Sequence, residues 1–220
     1  MRILVDGLDM SGKTTLVTTL VEEFKTRGIM AQRHRGMLAE HHPVEPLLKR
    51  LPLVRQAQSR AITAAFLVGG YALDALLVHA DPPQPAGTVI VQDGYVDRTV
   101  AFGLAGGPFL TAALGLWGAR LFARFDVAVY LHASPQVRRG RMANRAEVDS
   151  ADRRSVEDLE FAARFDAALL HGMGRRHRRL LVFDTADRQP QEMAEQIIAA
   201  ALALASLTPT TDPRSARRSA

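Results

Sequence analysis

GLDMSGKTT, at residues 7–15, is the stretch that decides how the rest of the chain is interpreted. It fits the pattern G-x-x-x-x-G-K-[ST], with the fixed positions at Gly7, Gly12, Lys13 and Thr14. Glycines let the backbone wrap phosphate groups, amides at a helix N-terminus point inward, and the lysine neutralises phosphate oxygens. The threonine can place its hydroxyl on Mg²⁺. Because a strand pattern precedes the stretch and an amphipathic helix pattern follows it, we predict a site for a nucleotide's phosphates.

Strand-like apolar runs alternate with helical patterns along the whole chain. This alternation predicts an α/β domain, with a parallel sheet covered by helices on both faces and a ligand site beyond the carboxyl ends of the strands. We expect residues 1–207 to form a single domain and residues 208–220 to form a disordered tail. Two helices are predicted over residues 57–79 and 191–204. The predicted strands are residues 3–5, 29–32, 88–92, 127–131 and 180–183.

Composition excludes several classes of protein. The 220 residues include no cysteine, which excludes disulfides, thiolate metal sites and a cysteine nucleophile. The net charge of +5 comes from basic residues spread along the chain, and their densest cluster, RRHRR at residues 175–179, is typical of a solvated helix end. Residues 99–119 carry no charge, but their glycines and proline favour two short buried or interfacial helices over a membrane span. We expect a cytoplasmic protein with no nucleic-acid or membrane partner.

Two aspartates stand where a phosphoryl group would meet its acceptor. Asp9 lies inside the phosphate loop, and Asp93 follows the third predicted strand directly. Asp93 could take a proton from an acceptor hydroxyl or hold Mg²⁺ through water, and a turn-capping aspartate is the alternative interpretation. Asp97 and Arg98 lie just beyond and form either part of the site or a surface ion pair.

An arginine-rich cluster follows the fourth predicted strand. An arginine delivered to a γ-phosphate raises the rate of transfer by roughly 10³ to 10⁵, which corresponds to about 4 to 7 kcal/mol. A helix followed by such a stretch predicts a lid over about residues 142–155 that closes and excludes water. Arg138 and Arg139 are interpreted as parts of solvated helix faces. The cluster comprises Arg138, Arg139, Arg141, Arg145, Arg153 and Arg154.

Taken together and in order, these motifs resemble the thymidylate kinase family of P-loop kinases. GLDMSGKTT resembles the family's G-x-D-G-x-G-K-[ST]-T loop, and VIVQDGYVDRTVAFG resembles its V-I-x-D-R-Y-x-D-S-x-x-A-Y-Q-G stretch. DVAVYLHASPQVRRGR and ADRRSVEDLEFAARFDAALL are similar to the segments that flank the family's lid. The resemblance implies a P-loop NTPase fold with five parallel strands in the order 2-3-1-4-5, an arginine-bearing lid, and a homodimer.

The same resemblance assigns roles on the donor side. Lys13, Asp93, Arg141 and Arg153 would be the catalytic residues, and Thr14 and Asp93 would hold the metal, with ATP and Mg²⁺ as cofactors. Asp9 is the other candidate for the general base. The residues implied to contact ATP are Gly7, Asp9, Ser11, Gly12, Lys13, Thr14, Thr15, Arg141, Arg145 and Ala186.

The acceptor side departs from the family's pattern. Gly94 replaces the arginine of the family's D-R-Y, and the family's L-F-A-A-D-R on the long helix is replaced by FLVGGY at residues 66–71, so a second phosphate-binding arginine is missing. Charge-assisted hydrogen bonds contribute about 1.5 to 3 kcal/mol each. Losing both arginines therefore weakens monophosphate binding by roughly 3 to 6 kcal/mol, or about 10² to 10⁴ in affinity. The predicted acceptor pocket consists of Asp9, Arg35, Tyr71, Asp93, Tyr95, Asp97 and Arg98.

The intact phosphate loop and the altered acceptor side are together compatible with three functions. The leading hypothesis is an ATP-dependent phosphotransferase whose acceptor is a hydroxyl of a nucleoside, a sugar or a specialised metabolite such as an aminoglycoside. The first alternative is a true dTMP or dUMP kinase, in which Arg35 and Arg98 hold the acceptor's phosphate. The second is a nucleotide-binding regulator without turnover.

Overall fold

A computed structural model describes residues 1–50, 60–80, 87–107, 112–113 and 120–206. Its strands are β1 (Arg2–Gly7), β2 (Ala31–His34), β3 (Val89–Asp93), β4 (Val127–His132) and β5 (Arg179–Asp184). All neighbouring strands pair in parallel, in the order β2-β3-β1-β4-β5. The predicted α/β class and strand order are therefore confirmed, and the central strand β1 leads directly into the phosphate loop.

Helices connect these strands. They are α1 (Lys13–Thr26), α2 (Glu45–Arg50), α3 (Arg60–Ala65), α4 (Ala72–Ala80), α5 (Val96–Gly106), α6 (Pro135–Ala143), α7 (Ser150–Glu157), α8 (Leu159–Arg176) and α9 (Pro190–Ser206). A π-helical turn, Phe66–Tyr71, joins α3 to α4. The helix predicted over residues 57–79 is thus helical from residue 60 to residue 80, and its first three residues lie outside the described part of the chain.

Two hydrophobic cores lie on opposite faces of the sheet, because successive residues of a strand point to opposite sides. On one face Val5 packs with Phe24 of α1 and Ile197 of α9. On the other face Leu4 belongs to the core that contains Phe165 of α8. Helices therefore cover both faces, as predicted.

The most apolar helical segment runs over Ala61–Ala80. It is long and apolar enough to cross a membrane by length and composition alone. Its residues Leu67, Tyr71 and Val78 are buried in the core beside the sheet, whereas Val68 and Leu76 are exposed. Of the uncharged stretch 99–119, the first part lies in α5, and residues 108–111 and 114–119 lie outside the described residues, as does the predicted tail. The cytoplasmic location and the homodimer stay predictions.

A buried ionic cluster joins α5 to the end of α8. Both carboxylate oxygens of Asp97 accept hydrogen bonds from Arg176, one of them from Nε at 2.8 Å. The Nε2 atom of His177 lies 3.3 Å from the same carboxylate, and its Nδ1 accepts the Phe125 amide. Although burial raises the pKa of Asp97, Arg176 and His177 hold it well below its usual range.

Two interpretations of the sequence are corrected by this cluster. Asp97 was expected to contact the acceptor or to form a surface ion pair, but its carboxylate is buried and fully engaged by Arg176. Arg176 and His177 belong to the RRHRR cluster, which was expected to be solvated, yet both are buried. Both interpretations failed for one reason, since Asp97 lies 79 positions from Arg176 and 80 positions from His177 in the sequence.

We expect Arg176→Met to destabilise the protein at pH 7 by about 3 to 5 kcal/mol, because it leaves the charge of Asp97 buried without a cation. The folded-state pKa of Asp97 is depressed, so the native pair stabilises the fold above the unfolded pKa of about 3.9 and this contribution is lost as the pH falls further. Urea unfolding at pH 7 and in acid measures both effects. The exposed neighbour Arg175→Met is the matched control and should change stability by less than about 0.5 kcal/mol.

Candidate active site

The phosphate loop makes its tight turn where β1 meets β4. A Cβ atom on Gly7 would collide with the carbonyl oxygen of Leu131 and lie 2.9 Å from the Ser11 hydroxyl. Gly12 adopts a left-handed conformation with φ of 94° and directly precedes the first residue of α1. Met10 also has a positive φ, 64°, a conformation that costs a residue with a side chain about 1 to 3 kcal/mol. The loop therefore needs its glycines and holds one strained residue.

Lys13 lies over the backbone of this loop. Its Nζ donates to the carbonyl oxygens of Gly7 at 3.0 Å and Leu8 at 2.7 Å, and it lies 3.5 Å from Asp9. Burial, reinforced by the nearby Arg98, lowers the pKa of Lys13. The ammonium group thus occupies the concave side of the loop, where the pattern predicts the phosphates.

Other polar groups of the loop are placed as the motif requires. The hydroxyls of Thr14 and Thr15 stand in the first turn of α1, on exposed residues. The Ser11 hydroxyl is buried and has no hydrogen-bond partner among the described residues. Amides, hydroxyls and an ammonium group therefore converge at this helix N-terminus, the arrangement that favours a polyphosphate.

Arg98, on α5, reaches back to the same loop. It donates to the Gly7 carbonyl oxygen at 2.5 Å and to both carboxylate oxygens of Asp9 at 2.6 Å. Its guanidinium also lies over the ring of Phe165. Burial tends to raise the pKa of Asp9, but Arg98 and Lys13 lower it to about 2. Asp9 and Arg98, both predicted as acceptor residues, are thus brought together at the site and paired with each other.

Asp93 is the last residue of β3 and lies at the same edge of the sheet. Arg33 of β2 donates to its carboxylate at 2.5 Å. The preceding Gln92 is fully buried and donates to the carbonyl oxygens of Gly36 and Gly94, which fixes the loops after β2 and β3. The predicted position of Asp93 is therefore found, but the arginine that neutralises it was not foreseen.

Asp6 is the residue of the site that the sequence analysis missed. Its side chain is completely buried at the end of β1, and Oδ1 accepts the Gly7 amide at 2.8 Å. Its other oxygen, Oδ2, has no hydrogen-bond partner in the described part of the chain. Burial raises the pKa of Asp6 to about 6, against the opposing charges of Arg98 and Lys13. The available signal was an acidic residue inside a buried strand, next to the first glycine of the loop.

On the lid side, Arg141 connects the phosphate loop to the segment after β5. It donates to the Met10 carbonyl oxygen at 2.9 Å and to the hydroxyl and carbonyl oxygens of Thr185 at 2.9 and 2.7 Å. Arg145 pairs with Asp152 at 2.9 Å. Arg153 is exposed on α7, and Ala186 is exposed after β5.

Arg138 is not part of a solvated helix face, as the sequence suggested. It is only 2% exposed, and it donates to the carbonyl oxygens of Ala133, at 3.1 Å, and Ser155. The bond to Ser155 joins α6 to α7 across the predicted lid, and the bond to Ala133 holds the guanidinium against the start of α6. A single buried guanidinium therefore connects the two helices.

The aromatic residues predicted for the acceptor pocket lie largely inside the core. Tyr95 is 1% exposed, and its hydroxyl donates to the buried carboxylate of Asp74, so it is withdrawn from any acceptor. The Tyr71 ring packs edge-on against Tyr95, with its hydroxyl bonded to Thr99. Arg35 is exposed in the loop after β2. Of these three residues, Tyr95 is the least suited to contact an acceptor, because its hydroxyl is already hydrogen-bonded to Asp74.

Magnesium fits this site only as an ion held mainly by a substrate. Among the described residues no group of three or more acidic, histidine or cysteine side chains could hold a metal. Kinase magnesium usually keeps several waters and binds one or two protein groups together with phosphate oxygens. The Thr14 hydroxyl fits that role, whereas the carboxylate of Asp93 is already paired with Arg33.

No model of a protein family matches the chain, and no curated protein matches it significantly. Membership of the thymidylate kinase family therefore stays a prediction, and function must be inferred from the side chains themselves.

We expect Asp6→Asn to stabilise the protein at pH 7 by about 2 to 3 kcal/mol. The folded pKa, about 6, lies above the unfolded value, so the wild type loses stability as the pH rises from about 4 to 6. Asparagine resembles the protonated form, and the gain should therefore vanish near pH 4. Thermal unfolding from pH 4 to 8 measures this trend, and a variant that is less stable at pH 7 would contradict it.

A second expectation concerns Arg138. Arg138→Ala should destabilise the protein by about 2 to 4 kcal/mol, because the Ala133 and Ser155 carbonyl oxygens lose a charged donor. The exposed neighbour Arg139→Ala should change stability by less than about 0.5 kcal/mol. Equal urea midpoints for the two variants would show that Arg138 does not hold α7.

Proposed function

We propose that this chain is an ATP- and Mg²⁺-dependent phosphotransferase of the thymidylate-kinase-like type, and that its acceptor is a hydroxyl of an unphosphorylated small molecule. The observation that carries the proposal is the phosphate loop. Its glycines turn the chain at the end of the central strand, and the hydroxyls of Thr14 and Thr15 are exposed in the first turn of α1. This geometry suits a polyphosphate donor.

Each donor-side residue has a distinct task in this proposal. Lys13 would exchange the Gly7 and Leu8 carbonyl oxygens for phosphate oxygens. Arg141 holds the phosphate loop against the segment after β5, which would keep the loop in the conformation that binds the nucleotide. Arg145 and Arg153 would approach the phosphates when the lid closes and excludes water. When bound, Mg²⁺ would neutralise charge on the transferred group, with Thr14 as its protein ligand.

The charge balance on the acceptor side favours a neutral or cationic acceptor. Arg98 is paired with Asp9, and Arg33 with Asp93, so these two cations at the edge of the sheet already have carboxylate partners. A monophosphate that binds Arg98 or Arg33 would have to displace one of these carboxylates, and Gly94 supplies no replacement. A hydroxyl compound carries no phosphate and therefore leaves both ion pairs in place. A dTMP or dUMP kinase therefore stands as the weaker alternative.

The decisive experiment offers the protein ATP and Mg²⁺ with dTMP, dUMP, nucleosides, sugars and aminoglycosides, and detects products by mass spectrometry. We expect a neutral or cationic hydroxyl compound to be phosphorylated and dTMP to be a poor acceptor. Lys13→Ala should reduce transfer at least about 100-fold, because it removes the cation that contacts the phosphates.

The controls separate the alternatives. Lys25→Ala, an exposed lysine at the far end of α1, should leave activity unchanged. Efficient dTMP phosphorylation that collapses in Arg98→Ala would establish the nucleotide kinase instead. Tight ATP binding with no phosphorylated product would establish the regulator.

A further inference from the structure

Met10 lies in the middle of the phosphate loop, in a backbone conformation that favours glycine. Its φ is 64°, and among the described residues no other residue with a side chain has a positive φ. Glycine adopts this conformation without a steric cost, and the loop pattern of the thymidylate kinase family, G-x-D-G-x-G-K, has glycine at this position. This chain therefore carries a side chain where glycine would be less strained, which points to a use for that side chain.

Met10 contacts two arginines that follow β4. Its carbonyl oxygen accepts a hydrogen bond from Arg141 of α6 at 2.9 Å, and its Sδ atom accepts a weak one from Nη1 of Arg145 at 3.8 Å. A thioether sulfur is a weak acceptor, so the second contact orients the guanidinium more than it stabilises the fold. One residue of the phosphate loop thus contacts both the helix that leads into the predicted lid and the lid itself.

Asp152 of α7 holds Arg145 from another side. Nη1 of Arg145 lies 2.9 Å from the Asp152 carboxylate, which belongs to a buried residue. A half-exposed arginine with one partner keeps much of its rotamer freedom, and the contact with Met10 restricts that freedom beside the loop. Within the described ranges the Nε and Nη2 groups of Arg145 make no hydrogen bond, which leaves N–H donors for a phosphate.

We propose that Met10 is a positioning residue that holds Arg145 beside the phosphate loop, so that the remaining N–H donors of Arg145 meet the donor's terminal phosphate, an inference that rests on the proposed function. Arg145 contacts the phosphate, and Met10 acts only through Arg145. An arginine at this place stabilises the charge that develops during transfer. Loss of its orientation therefore lowers kcat and leaves the KM for ATP nearly unchanged.

The kinetic test uses the full chain with Mg²⁺·ATP and thymidine, ribose or kanamycin, and follows ADP release and product mass. Met10→Gly should lower kcat by about 10- to 100-fold, with the KM for ATP within about threefold of wild type. It should not lower the melting temperature, because glycine relieves the strain. Met10→Gln keeps the length and an acceptor atom, so its kcat should stay within about threefold of wild type. The exposed control Met30→Ala should leave kcat and KM unchanged.

Trypsin provides a second measurement that needs neither nucleotide nor acceptor. If Met10 holds Arg145, cleavage after Arg145 in the nucleotide-free protein should be at least about threefold faster in Met10→Gly than in the wild type. Met10→Gln should restore the protection. The double variant of Met10→Gly and Arg145→Met should lose no more kcat than Arg145→Met alone, because Met10 acts through Arg145.

The outcomes separate this inference from the proposed function. Equal cleavage in the wild type and Met10→Gly, a further loss of kcat in the double variant, or a melting temperature that falls in parallel with kcat overturns the role of Met10 and leaves the proposed function intact. Faster cleavage in Met10→Gly without transfer of phosphate to any of the probes overturns the proposed function, and the catalytic purpose of the contact with it.

Discussion

The close approach of Gly7 to the carbonyl oxygen of Leu131 is the constraint on which the site depends. It brings the end of β1 against β4 with no room for a side chain, so the chain must turn away from the sheet at that residue. The turn ends at Gly12, where α1 begins with its free amides directed back over the loop. A bulkier residue at position 7 would move the loop away from β4, and the phosphate cradle would be lost with it.

Around this turn, charges are balanced in pairs rather than left free. Arg98 binds Asp9 and Arg33 binds Asp93, and Lys13 lies on backbone carbonyl oxygens beside Asp9. Without a bound nucleotide, the cations around the phosphate loop would repel one another. The paired carboxylates reduce this repulsion. The pairing also explains why the acceptor side holds little positive charge for a second phosphate. The aspartates that neutralise the cations around the phosphate loop therefore also affect which acceptor can bind.

The sequence predicted the strands and the phosphate loop because both rest on local patterns, namely apolar runs and a motif of eight residues. The strand order followed only from the resemblance to the thymidylate kinase family, since apolar runs do not say which strands are neighbours. It failed where a charged side chain is buried by a distant partner. Arg176 pairs with Asp97, and Arg138 binds a backbone oxygen of a neighbouring helix, yet in sequence each resembles an ordinary solvated arginine. Asp6 was overlooked for a related reason. A polar residue closing an apolar run is typical of a strand end, and only the three-dimensional surroundings reveal an unpaired oxygen.

Asp6 also connects the charges of the phosphate loop to the stability of the fold. A buried carboxylate with one unpaired oxygen costs stability, and two cations, Arg98 and Lys13, limit that cost. If Lys13 exchanges the loop carbonyl oxygens for a donor's phosphates, as the proposed function requires, Asp6 loses part of the charge of one of these cations. The pKa of its carboxyl group would then rise further, because the charged form is less stabilised. Donor binding would therefore favour the protonated form of Asp6.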